Sequence, residues 1–205
     1  ALHSTFEFDL RLTAAKCSSY IHRAMPNILP GIPPFPPRFR VLAFGLLLGC
    51  GALLSGLFLF VAFSRIACPF EIDWLEGGVL SHVQRVADGL PLYSSPTLDF
   101  VSFIYPPLFY WFAAPLVHLF GAIFLPLRAL ALGASLASAA LIFLIIRRET
   151  KSWPPALLGS FLFLATFKLN GNWFDIARVD TLAMALTLGA IAVLRAARST
   201  WFPPL

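Results

Sequence analysis

Charged side chains are scarce in this sequence. They make up 12 % of its 205 residues, against roughly 25 % in an ordinary soluble domain. Hydrophobic residues make up 59 %, more than a soluble globule of this size can hide. Soluble classes are therefore excluded and the integral membrane class remains. Cysteine is scarce too. Cys17 lies in the N-terminal tail, Cys50 in an apolar run and Cys68 at the head of an acidic loop. Three such different environments argue against a disulfide framework or a cysteine metal cluster. His82 and His118 lack the spacing of metal ligands and read as ordinary interfacial histidines. A Walker loop, a dinucleotide fingerprint, a nucleophile elbow and an HExxH pair are all missing, so soluble-nucleotide chemistry has no support and neither metal nor cofactor is expected. A pI near 9.5 does not imply nucleic acid, because the basic residues flank apolar segments and form no single patch. No repeat of fixed period is present.

Taken in order, residues 1–40 read as a basic, Pro-rich cytoplasmic tail, within which Met25 is a plausible natural start. Val41–Phe63 carries no charge and is long enough to span a bilayer core of ~30 Å. Residues 64–126 form an outer loop. Inside it Leu75, Val79, Val83 and Val86 recur at helical spacing, predicting a short amphipathic helix on the membrane surface that ends at Gly89. Tyr105–Leu125 reads as an aromatic-rich interfacial segment broken at Pro115 and Gly121, because the next span begins almost without a gap. Further spans are expected at about 127–146, 154–169 and 181–197, with a short outer loop from Lys168 to Asp180. The expected fold is all-α integral membrane, with about four transmembrane helices plus extracytoplasmic interfacial helices. Residues 41–199 form the membrane module and 200–205 a truncated end. This topology places seven of the 10 acids outside (Glu71, Asp73, Glu76, Asp88, Asp99, Asp175, Asp180). It places ten of the 15 Lys/Arg inside (Arg11, Lys16, Arg23, Arg38, Arg40, Arg147, Arg148, Lys151, Arg195, Arg198), as the positive-inside rule asks.

Few residues are candidates for chemistry. Asp73 or Glu76 fits a general base at the membrane face, where burial raises a carboxyl pKa towards useful values. Their spacing equally fits a capping box at the helix start, and on spacing alone capping is the preferred reading. Arg178 fits a lipid phosphate by charge-assisted hydrogen bonds, with Asp180 facing the same cavity as Asp73. Equally, Asp180 caps the last helix and Arg178 snorkels. Lys168 and Arg85 are lesser phosphate-binding candidates. Tyr105, Tyr110 and Trp111 fit either a polyprenyl groove or an ordinary aromatic belt.

Four stretches in this order carry a resemblance: EIDWLEGGVLSHVQRVADGLPLY, YPPLFYWFAAPLVHLFG, LPLRALALGASLASAALIFLIIRR and ARVDTLAMALTLGAIAVL. Together, over about residues 40–198, they resemble the N-terminal half of the membrane-embedded C-type glycosyltransferases. The closest group is that of the protein O-mannosyltransferases and bacterial aminoarabinose transferases, a glycosyltransferase family 39-like group. The resemblance implies a polyprenyl-phosphate-linked sugar donor, metal-independent inverting transfer and an extracytoplasmic active site. It implies Asp73 as the base that activates the acceptor, Arg178 and Asp180 as the second outer-loop Arg-x-Asp element, and Pro106-Pro107 as the interfacial Pro-Pro. Many relatives carry an adjacent Asp-Glu pair where this chain has Asp73-Trp74, so Glu76 stays an alternative base. The family's membrane module also has more spans than four, so the chain reads as an N-terminal fragment.

The expected function is sugar transfer from that donor to an unassigned acceptor on the outer face, in a bacterial plasma (inner) membrane with the N-terminus cytoplasmic. The expected partners are the donor and membrane lipids, without nucleic acid. The alternative is a non-catalytic membrane subunit, or an inactive truncated relative, that binds lipid or a partner protein. A small transporter is the weaker third reading, because no span shows a clear mid-span charge or unwound Gly/Pro pair.

Overall fold

A computed structural model describes residues 36–201, and the basic segment 1–35 and the last four residues lie outside it. The chain divides into two units, 1–43 and 44–205, and the helix packing belongs to the second. Every described regular element is helical: α1 Pro37–Arg65, α2 Trp74–Ala87, α3 Leu108–Phe120, α4 Phe124–Thr150, α5 Trp153–Ala165, a 3-10 turn Thr166–Lys168, and α6 Asp180–Trp201. Three stretches are long and apolar enough to cross a membrane: Val41–Arg65, Phe124–Thr150 and Asp180–Ala197. The protein is thus an all-α membrane protein, and three of the expected spans are regular helices.

The region expected as a span at 154–169 differs. Pro154 and Pro155 open α5, as prolines do in a first turn. The helix ends after 13 residues, about 20 Å of rise, short of a ~30 Å core. Beyond the 3-10 turn the chain leaves helical geometry at Gly171 and Asn172, both with positive φ (69° and 61°). The stretch to Asp180, expected as an outer loop, instead folds inward. Phe174, Asp175, Ile176, Ala177 and Arg178 are all buried. Irregular backbone persists at such depth only where protein covers it. Here Ser135 Oγ of α4 donates to the Phe174 carbonyl at 2.6 Å.

α5 and α6 both pack on α4, and α2 packs on α3. Side-chain contacts give the directions. Ser55 donates to the Phe161 carbonyl, Phe58 meets Phe167 and Phe174, and Arg65 pairs with Asp175, so α1 and α5 run parallel. Ser160 donates to the Ala139 carbonyl at 2.8 Å, and Gly159 sits against Ile146 and Ile142, so α4 runs against them. In lipid, apolar burial gives helices little reason to associate, so close approach and polar contacts select the pairing. Ser55, Ser135 and Ser160, each donating to a carbonyl of a neighbouring segment, supply such contacts.

α2 follows its apolar period, with Leu75, Val79 and Val83 buried. Asp73 is its N-cap and accepts from the Leu75 amide at 3.0 Å, and Gly89 follows the C-cap with φ +71°. The break expected at Pro115 does not occur, since Pro115 lies inside α3 and the helix stops at Gly121, φ +84°. Ala113, Ala114 and Val117 around the proline are buried against α2 and α4, and this packing carries the helix past the missing N–H. α3 has 13 residues, about 20 Å, and is no regular span.

Candidate functional site

Where α2 begins and α6 begins, chain segments more than a hundred residues apart meet. Arg178 organises the meeting. Its Nε donates to Asp180 Oδ2 at 2.9 Å, and its Nη1 lies 3.8 Å from Asp73 Oδ1. The Arg178 guanidinium also stacks 3.8 Å over the Trp173 ring, which Gly171 permits. A Cβ at Gly171 would stand 2.7 Å from the indole nitrogen, and its φ of +69° already favours glycine. Asp73 and Asp180 keep partial exposure while Arg178 is largely buried. The pair of carboxylates is therefore open to ligand and its cation is held from behind. A small recess lined by Leu75, Val79, Tyr105, Arg178, Val179 and Asp180 lies beside them.

Glu76 is placed differently. It is fully buried, and Arg128 donates to both of its oxygens, at 2.9 and 2.7 Å. The Ala177 and Ile72 amides donate to the same carboxylate, each at 2.8 Å. Burial pushes the Glu76 carboxyl up, but Arg128 and those two amides outweigh it and hold the group below the ordinary carboxylate range. A carboxylate whose oxygens are so occupied is built to stay ionised. Glu76 fits a tie between α2, α4 and the 175–178 segment.

Arg128 is the residue sequence reasoning missed. It is completely buried and also donates to the Cys68, Phe70 and Arg65 carbonyls at 2.6, 2.7 and 3.2 Å. One guanidinium thus pins the linker between α1 and α2. Its signal was an arginine inside an apolar run, which demands a partner. Arg65, partly exposed, and the buried Asp175 form a second ion pair, with Arg65 also donating to the Asn172 carbonyl.

The other expected anion ligands do not join the cluster. Arg85 donates to the Pro91 carbonyl at 3.1 Å and stacks on Phe100, which ties the loop after α2. Lys168 is exposed on the 3-10 turn and makes no ion pair among the described residues. His82, expected at the interface, is buried. Phe103 N–H donates to its Nε2 at 2.8 Å, so Nδ1 carries the hydrogen donated to the Gly78 carbonyl at 2.6 Å. Burial depresses the His82 pKa, the Gly78 carbonyl opposes that, and Arg85 adds to the depression. His118 is exposed, with Nε2 2.8 Å from the Ala87 carbonyl. Among the described residues no three His, Cys, Asp or Glu stand together as metal ligands.

Two buried hydroxyls, on Tyr110 and Thr181, have no hydrogen-bond partner among the described residues. Burial raises the Tyr110 pKa, and Tyr93, Tyr105 and Asp180 raise it further, so its hydroxyl is a donor. Of the aromatic candidates, Tyr110 is buried while Trp111 is exposed. Comparison with family models, curated proteins and solved structures gives no match.

Proposed function

We propose that the protein transfers a sugar from a polyprenyl-phosphate donor to an acceptor at the end of the bundle where Asp73, Arg178 and Asp180 meet. One observation carries this reading: Asp73 converges on a half-open site with Arg178 and Asp180, which lie more than a hundred residues further along the chain. Asp73 is the general base. It has apolar neighbours, a side chain that reaches ligand, and no buried clamp of the kind that immobilises Glu76. Arg178 binds the donor phosphate, for which a planar guanidinium held by a ring and a carboxylate is well suited. Asp180 orients Arg178.

In this reading the irregular stretch 166–179 completes a fourth crossing begun by α5. In the same reading the catalytic end faces the extracytoplasmic side of a bacterial plasma membrane. Lipid-linked donors place their phosphate at the interface, and this reading sets the meeting of Asp73 with Arg178 and Asp180 there.

The test is transfer from a panel of polyprenyl-phosphate sugars by membranes carrying the protein, with Asp73→Asn at matched expression. The expected loss on removing the base is on the order of 10²–10⁴-fold, the usual range for general-base catalysis. Transfer unaltered in Asp73→Asn would return Asp73 to helix capping alone. A second reading, a non-catalytic lipid- or partner-binding subunit, is favoured by the small recess, which has no room for even a water-sized group, whereas ligand pockets usually begin at ~300 Å³. Absence of transfer from every donor in the panel would support it.

A further inference from the structure

At the end of the bundle opposite Asp73, α4 and α6 part around a groove of about 370 Å³, within the ~300–1,000 Å³ range of small-molecule sites. Its walls are apolar, with Leu141 and Leu144 on α4 and Gly189 and Val193 on α6. Its mouth is charged. Arg195 Nη1 lies 2.6 Å from Glu149 Oε1, and Arg148 beside them forms no ion pair among the described residues. Two guanidinium groups therefore face one carboxylate. Both walls belong to helices apolar and long enough to cross a membrane, so the groove opens sideways to lipid.

We propose that this groove binds one anionic glycerophospholipid, with an acyl chain along the α4–α6 walls and its phosphate on Arg148 and Arg195. The inference rests on the membrane reading of α4 and α6 and is independent of sugar transfer. Basic pockets between transmembrane helices collect anionic headgroups, and arginine takes a phosphate oxygen pair with both arms of its fork. A zwitterionic choline headgroup brings a cation to the same mouth and fits worse. A second copy of this chain, related by a two-fold axis, would bring an equally basic mouth against it and is disfavoured by charge.

The test uses the full chain in bilayers of equal phosphatidylglycerol and phosphatidylcholine, released in mild detergent and weighed intact by native mass spectrometry. One retained phosphatidylglycerol per chain is expected. The combined Arg148→Gln and Arg195→Gln variant should lose that preference by at least about tenfold, the size of two interfacial charges. Gly189→Leu keeps both charges but fills the groove, since a Cβ there already meets Leu141 at 3.9 Å. It should retain neither lipid, with helix content unchanged by circular dichroism. Equal retention of the two lipids by the wild-type chain would overturn the proposal. So would a preference that survives the double substitution, or a dimer mass that only Gly189→Leu abolishes.

Discussion

At the residue scale, two arginine–carboxylate pairs hold the architecture, one fully buried and one partly exposed at Arg65, and their chemistry differs from that of the open pair beside them. Glu76 and Arg128 are both inaccessible to water. Removing one partner strands the other's charge, which costs about 3–5 kcal/mol, whereas replacing both with apolar groups of similar volume is often neutral. Arg128→Met should therefore lower the thermal unfolding midpoint in detergent far more than Arg128→Met combined with Glu76→Leu. Equal losses would show that the pair is dispensable. The pH dependence follows from directions. Glu76 has a folded pKa below its ordinary value of 4.5, so its contribution is complete above that pH and is lost as pH falls through the folded value. His82 likewise is depressed below 6.5. Its contribution is complete above that pH and is lost on acidification, when a proton on Nε2 must confront the Phe103 amide. Unfolding midpoints measured from pH 8 downward should hold until about pH 6 and then decline, and His82→Phe should flatten the first part of that decline. A midpoint that rises on acidification would contradict both assignments.

At the scale of elements, α2 was legible because its apolar period, its Asp cap and its Gly stop all agree. Its burial was not legible. A capping-box spacing reads the same on a surface helix and on one whose Glu76 is sealed beneath α4, and only the 101-residue reach from Glu76 to the Ala177 amide and the 52-residue reach from Glu76 to Arg128 seal it. Hydropathy likewise merged α5 with the residues after it, because Phe167 and Leu169 are apolar whether in an α-helix or in the 3-10 turn and coil that follow it. Adjacent glycines in α2 separate the two faces. A Cβ on Gly78 would stand 2.3 Å from Phe103 Cζ, inside the ring stack on His82, while one on Gly77 meets only the flexible end of Glu71 at 2.6 Å. Gly78→Ala should destabilise by roughly 1–3 kcal/mol, the usual overpacking cost. Gly77→Ala should be neutral or stabilising by up to about 1 kcal/mol, since alanine favours helix. Chemical unfolding of the two variants side by side checks the order, and a larger loss in Gly77→Ala would mean that Phe103 does not pack on α2.

At the scale of the molecule, Arg147, Arg148 and Lys151 around the α4–α5 turn stand at one end of the bundle and the α2–α3 layer at the other. With the positive-inside tendency, a membrane-impermeant thiol reagent should reach Cys68 from outside. A cysteine introduced by Thr150→Cys should react only after the membrane is opened, and the reverse pattern would invert the protein. The central claim is that Asp73, as base on the acceptor, and Arg178, on the donor phosphate, serve one transfer site. The most direct measurement is sugar transfer by Asp73→Asn, Arg178→Gln and the double variant at matched expression. Groups that serve one site are strongly non-additive, so the double variant should be little worse than the poorer single. Losses that multiply, as for independent positions, would contradict a shared site.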